Sequence, residues 1–181
     1  MNAVILVEGI SDQRAVEALA ARRGRDLDAE GVSVVPIGGA HAIGHALARY
    51  GPPPGLDVRL AGLYDVGEER LFARGLERAG LGTDLDRAGL ESLGFYACDT
   101  DLEHELVRAL GIDAVARIIE RQGELGRFAT FRKQLAKRDL PFEEQLWGFM
   151  WNRKIRYAPL LVEALDLDRV PRPLDGVLDH V

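Results

Sequence analysis

The stretch Val4-Ile-Leu-Val-Glu-Gly-Ile-Ser-Asp12 decides the fold. Four apolar β-formers run straight into a glutamate, a glycine and a helix-starting serine, the pattern of a buried strand that ends in a carboxylate. Ser11 is expected to cap a helix through about Arg23, whose apolar stripe is Ala15, Val16, Leu19 and Ala20. Glu8 then stands at the carboxyl end of a central strand and Asp12 in the first turn of the next helix, where open α/β sheets place their ligands.

Outward from this segment, strands alternate with helices. Strands are predicted at 32–37, 58–64 and 95–98, with helices at 41–50, 68–79 and 101–110, the last stopped by Gly111. The third strand delivers Asp65 to its carboxyl end. This alternation predicts an α/β fold with a largely parallel four-stranded sheet and flanking helices. Beyond residue 112 the pattern changes to helices only, near 113–122, 127–138, 142–151 and 159–166. Pro141 and Pro159 suit first turns, and the tail with Pro171 and Pro173 reads as irregular. The expected organisation is a metal-binding α/β domain over 1–112 and an all-helical extension over 113–181 packed on it.

Composition narrows the function classes. The 181 residues suit one domain with a good core. Residues 4–7 are too short an apolar run for a signal peptide, and no stretch approaches the ~20 apolar residues of a membrane span, so a cytoplasmic protein without a membrane partner is expected. The single cysteine, Cys98, excludes an internal disulfide and a cysteine-based zinc site. A net charge of −6 argues against a generally sticky nucleic-acid binder, but the charge is uneven: residues 117–156 carry ten Lys/Arg against five acids. Arg132, Lys133, Lys137, Arg153 and Lys154 in this stretch are candidate phosphate contacts; on charge alone a solvated helical face is the first reading.

Acids fall at three successive strand ends: Glu8 with Asp12, Asp65 with Glu68 and Glu69, and Asp99 with Asp101, Glu103 and Glu105. Carboxylates gathered at one sheet edge repel one another, so their convergence implies a compensating cation. Oxygen-only ligands favour Mg²⁺ or Mn²⁺, and one or two such ions could activate water for phosphodiester hydrolysis. Plainer roles compete. Asp12 could complement the helix dipole, and Thr100 with Glu103 matches a capping box. His41 and His45 have zinc-compatible spacing without a third ligand and read as surface histidines. Gly38-Gly39 reads as a turn. Trp147 and Trp151, spaced i, i+4 among apolar residues, read as helix packing, with base stacking the minority alternative.

The opening motif resembles that of the TOPRIM domain shared by topoisomerases, bacterial primases and OLD-family (overcoming lysogenization defect) nucleases. Val7-Glu-Gly-Ile-Ser-Asp12, Val34-Val-Pro-Ile-Gly-Gly39, Gly62-Leu-Tyr-Asp65, Asp101-Leu-Glu103 and Asn152-Arg-Lys-Ile-Arg-Tyr-Ala158 follow the order of OLD nuclease domains. The resemblance implies that Glu8, Asp12, Asp65, Asp101 and Glu103 surround two divalent ions, with Lys154 facing the scissile phosphate and Glu8, Asp65 and Lys154 as the catalytic set. It implies a nuclease acting on nucleic acid, with DNA favoured, and leaves room for a homodimer. Two departures matter. Where the family has Asp-x-Asp this chain has Asp65-Val66-Gly67, with Glu68 and Glu69 beyond, which opens the alternative of an inactive binding or regulatory module. No G-x-x-x-x-G-K-[ST] stretch occurs, so ATP dependence is expected to come from a separate ATPase subunit. Nucleotidyl transfer, as in primases, is the third reading.

Overall fold

The computed structural model describes all residues, 1–181. In chain order the elements are β1 (Ala3–Val7), α1 (Ile10–Arg22), α2 (Leu27–Glu30), β2 (Val32–Pro36), α3 (Ile43–Tyr50), β3 (Arg59–Asp65), α4 (Glu69–Arg78), α5 (Arg87–Ser92), β4 (Phe95–Cys98) and α6 (Leu102–Leu110). There follow α7 (Ile112–Arg121), α8 (Leu125–Arg132), α9 (Phe142–Met150), α10 (Lys154–Ala164) and α11 (Arg172–His180). All strand pairs are parallel, in the order β2-β1-β3-β4. The structure is thus the expected parallel α/β sheet with flanking helices.

Alternation along β1 builds two cores. Ala3, Ile5 and Val7 point to one face, into a cluster of 29 buried residues; Val4 and Leu6 point to the other, into a cluster of 14. The smaller cluster is closed by Ile43, Leu47, Phe72, Leu76 and Leu90 from α3, α4 and α5. The larger one draws on α1 and α6 and on every helix from α7 to α11, so the C-terminal helices complete one face of the sheet. Gly62, opposite Leu6 in register, is needed for this fit: a Cβ there would stand 2.7 Å from the Phe95 ring and 3.0 Å from the Leu6 carbonyl oxygen.

Several boundaries differ from expectation. Ser11 does not cap α1; Gly9 does, its amide donating to Asp12 Oδ2 at 2.9 Å. The short helices α2 and α5 escaped the pattern reading because neither is long enough for a period; aspartate caps, Asp26 and Asp86, start them. The helix expected to 138 stops at Arg132. Pro159 lies inside α10, which begins at Lys154, five residues before the predicted start. The tail is not irregular: Pro171 caps α11, Pro173 sits in its first turn, and Leu174, Val177 and Leu178 are fully buried against β3 and β4. Prolines at that end remove amides that have no helical partner, so they start this helix instead of breaking it. No helix is long and apolar enough to cross a membrane.

Two polar ties lock the extension to α1. Arg22 donates to the carbonyls of Val162 and Leu165 at 2.8 and 2.7 Å, capping the end of α10, while Arg23 pairs with Asp175 of α11.

Candidate functional site

Three strand ends and the helices after them bring acids to one edge. Glu8, directly after β1, accepts the Asp65 amide at 3.1 Å, which joins the ends of β1 and β3. Asp12 turns back to the Gly9 amide and so performs the capping role that its place in the first turn allows. Beyond β4, Thr100 has a φ of +72°, a conformation that costs a β-branched residue strain, and the chain then enters α6 through Asp101. Asp101, not Thr100, is the cap: Oδ1 accepts the His104 amide at 2.9 Å and lies 2.7 Å from His104 Nδ1. Glu103 is therefore free of the capping box, and it is 2% exposed.

Lys154, the first residue of α10, meets this edge from the far end of the chain. Its Nζ donates to Asp101 Oδ2 at 2.9 Å and to Glu103 Oε2 at 2.8 Å. Glu103 Oε1 is buried without any hydrogen-bond partner.

The electrostatics separate the acids into two kinds. Burial pushes Asp65 up to about 8, and Glu8, Asp101 and Asp12 add to the rise. Burial raises Asp12 to about 7, with Glu103 the largest charge contributing. Glu8 is also raised by burial, against the pull of its bond to the Asp65 amide, and Glu68 adds repulsion. Asp101 goes the other way: burial would raise it, but the His104 amide and Lys154 together hold it below the ordinary value. For Lys154, burial is outweighed by Glu103 and Asp101, and the ammonium is held above its usual range.

Not every predicted residue joins. Glu68 reaches Glu8 electrostatically, whereas Glu69 is drawn off to Arg87 at 2.7 Å. Asp99 is exposed and pairs with Arg108, and Glu105 accepts the Asp99 amide, so both brace the loop. Gly67 is exposed, with open space around the position of a Cβ. In the basic stretch, Arg132 is committed to Gln145 and stacked over Phe142, Lys137 lies over Phe131, and Lys133 is exposed. Arg153 donates to the Phe149 carbonyl and covers its ring. His41 and His45 are exposed, and a cleft of about 630 Å³ between α3 and α4 includes His41 but none of the acids.

Sequence reasoning missed two features. Glu124, 3% exposed, accepts the Tyr157 hydroxyl at 2.6 Å and is ringed by Arg127, Arg153 and Arg156. This hub fixes the start of α10, and hence Lys154; a lone glutamate in an exposed-looking turn carries no pattern that would reveal it. The second is that Trp151 is not core, whereas Trp147 is half-buried and packs on His104. Trp151 is 49% exposed, and the two rings lie 4.6 Å apart beside Lys154.

The donor set suits a hard cation: all oxygen, more negative charge than one lysine offsets, and one buried carboxylate oxygen left without a partner. The expected cage is nevertheless not preformed, since no three acids are gathered tightly enough to clasp an ion. The reason is visible in the bonds above, which aim Glu8 and Asp12 at backbone amides and Asp101 and Glu103 at Lys154.

Residues 1–64 match the family model described as "Overcoming lysogenization defect protein-like, TOPRIM domain". No curated protein matches the chain. Among solved structures, the C-terminal region of the Burkholderia pseudomallei OLD protein is 21% identical with a TM-score of 0.74, over 98% of this chain and 95% of that one. The C-terminal region of the Xanthomonas campestris pv. campestris OLD protein is 26% identical with a TM-score of 0.75, over 99% and 91%. The opening segment is therefore similar to an OLD-like TOPRIM domain, and the chain as a whole has the fold of the C-terminal regions of OLD proteins.

Proposed function

We propose that this chain is a divalent-metal-dependent nuclease that hydrolyses phosphodiester bonds, with DNA the favoured substrate and any ATPase activity supplied by a separate subunit. The observation that carries the reading is Glu103 Oε1, buried and unpartnered at the centre of an acidic edge where Asp12 and Asp65 are held near 7 and 8. Glu8, Asp12, Asp65, Asp101 and Glu103 would hold Mg²⁺ or Mn²⁺, with Glu68 next to them. The cation supplies Lewis-acid polarisation of the phosphate.

The chain's own residues do the rest. Lys154 places a permanent ammonium where negative charge grows on the phosphate, a contribution of the kind worth about 3 kcal/mol. The His104 amide and ring orient Asp101, and the Glu124 hub orients the turn that carries Lys154. Incubating plasmid, linear DNA and RNA with Mg²⁺, Mn²⁺ or EDTA tests the reading. Cleavage that requires metal supports it; absence of cleavage with every metal and substrate would sink it.

A second reading, a binding module without turnover, is favoured by Gly67 in place of the second acid of Asp-x-Asp and by the lack of a preformed cage. It predicts metal or DNA binding with no product in the same assay.

A further inference from the structure

Beside the acids runs a continuous aromatic array assembled from separate elements. His104 of α6 lies 4.3 Å from the Trp147 ring of α9, with the planes 34° apart. Trp147 lies 4.6 Å from Trp151, in the turn between α9 and α10. Lys154 Nζ stands 4.1 Å from the Trp151 ring centre and 5.9 Å from that of Trp147. The same ammonium bonds Asp101 and Glu103, so one lysine joins the aromatic array to the acidic edge.

The array is not explained by packing. Trp151 is the one exposed residue among the large aromatics, at 49%, in a chain that buries Tyr64, Phe72, Phe95, Phe149 and Tyr157. The Trp147 indole nitrogen is buried with no partner, a cost that a surface position could have avoided. The exposed Trp151 indole, flanked by half-buried Trp147 and joined through Lys154 to an acid pair, complements a ligand that is both aromatic and anionic. An apolar helix would supply nothing for Lys154, and a lipid headgroup would supply a phosphate but no π-face for the indoles, whereas a nucleotide supplies both.

Resting on the phosphodiester reading above, we propose that Trp147 and Trp151 form a stacking subsite for an unpaired nucleobase, so that the strand engaged at Lys154 is single-stranded or frayed there. Bases inside a duplex stack on each other and offer only their edges, so they cannot lay a face on an indole. A stacked base is worth about 1–3 kcal/mol, or from about fivefold to over a hundredfold in Kd.

The chain has two tryptophans, both in this array, so fluorescence excited selectively at tryptophan, beyond the absorption of the four tyrosines, reports on it alone. The whole chain is titrated with a short oligothymidylate, with an abasic phosphodiester of equal length and with a duplex, in EDTA and in Ca²⁺. The expected result is quenching by the thymine strand and about tenfold tighter binding of it than of the abasic strand. Trp151→Ala should bring the two to within about twofold and Trp151→Phe should keep part of the difference, while abasic binding stays unchanged. Equal binding of base-bearing and abasic strands, equal quenching by duplex, no binding in either buffer, or an unaltered preference in Trp151→Ala would overturn the subsite. Cleavage assays with Mg²⁺ and Mn²⁺ on the same preparation separate the two ideas. Base-dependent quenching without any cleavage sinks the hydrolase and leaves the subsite, and cleavage without base dependence does the reverse.

Discussion

Lys154 is the residue on which the site turns, because it is the only cation in contact with Asp101 and Glu103. Lys154→Met leaves Glu103 buried with neither oxygen paired, and breaking a buried ion pair costs about 3–5 kcal/mol. With Lys154 about one-fifth exposed, a loss near the lower end is expected in EDTA melts. Mg²⁺ or Mn²⁺ should restore more stability to this mutant than to the native chain, since a cation then replaces the missing charge, while any cleavage rate falls by ~10² to 10³. Equal metal responses in the two proteins would contradict the idea that lysine and metal serve the same acids. Gly67 gives a complementary test: a Cβ there meets nothing within 4 Å, so Gly67→Asp should fold with a nearly unchanged melting temperature and tighten metal binding. Unfolding by this change, with metal binding abolished instead by Glu68→Gln, would mean that the centre has been rebuilt around the shifted acid. Glu8, Asp65 and Asp101 were legible because strand ends and helix starts locate them. That Glu69 turns to Arg87, and that Trp147 packs on His104, depends on partners 18 and 43 residues away, which no local pattern encodes.

At the scale of elements, the strands could be read because each is an apolar run with an acid or glycine at its end, and β4 was predicted to the residue. The C-terminal helices were read less well, since proline is ambiguous between breaking a helix and starting one. α11 makes the difference consequential. Leu174, Val177 and Leu178 are fully buried, and burying such side chains is worth about 1.5–3 kcal/mol each. Deleting residues 171–181 should therefore remove about 6 kcal/mol, comparable with the whole stability of an ordinary domain, and leave an aggregating product. A soluble, cooperatively melting 1–170 fragment would show that α11 is dispensable to the fold. Gly176 tests the same packing more gently. A Cβ there would meet the Tyr96 ring at 2.5 Å, so Gly176→Val should lower the melting temperature while Gly67→Asp does not.

For the whole molecule, the uncompensated acids make stability depend on pH. Asp12 near 7 and Asp65 near 8 both lie above the ~3.9 of an exposed aspartate, so the native state holds more protons than the unfolded chain between about pH 4 and about pH 8. Stability of the metal-free protein should fall as pH rises through that window and level off above it. Asp101, held low, and Lys154, held high, titrate outside the window and do not reverse the trend. Divalent metal should flatten the profile, and melts from about pH 5 to about pH 9 in EDTA and in Mn²⁺ would check this. The most direct test of the central claim is cleavage of DNA by the native chain and by Asp65→Asn, each with Mn²⁺ and with EDTA. The account predicts product only from the native chain with metal. Product from Asp65→Asn at the native rate, or product in EDTA, would contradict it.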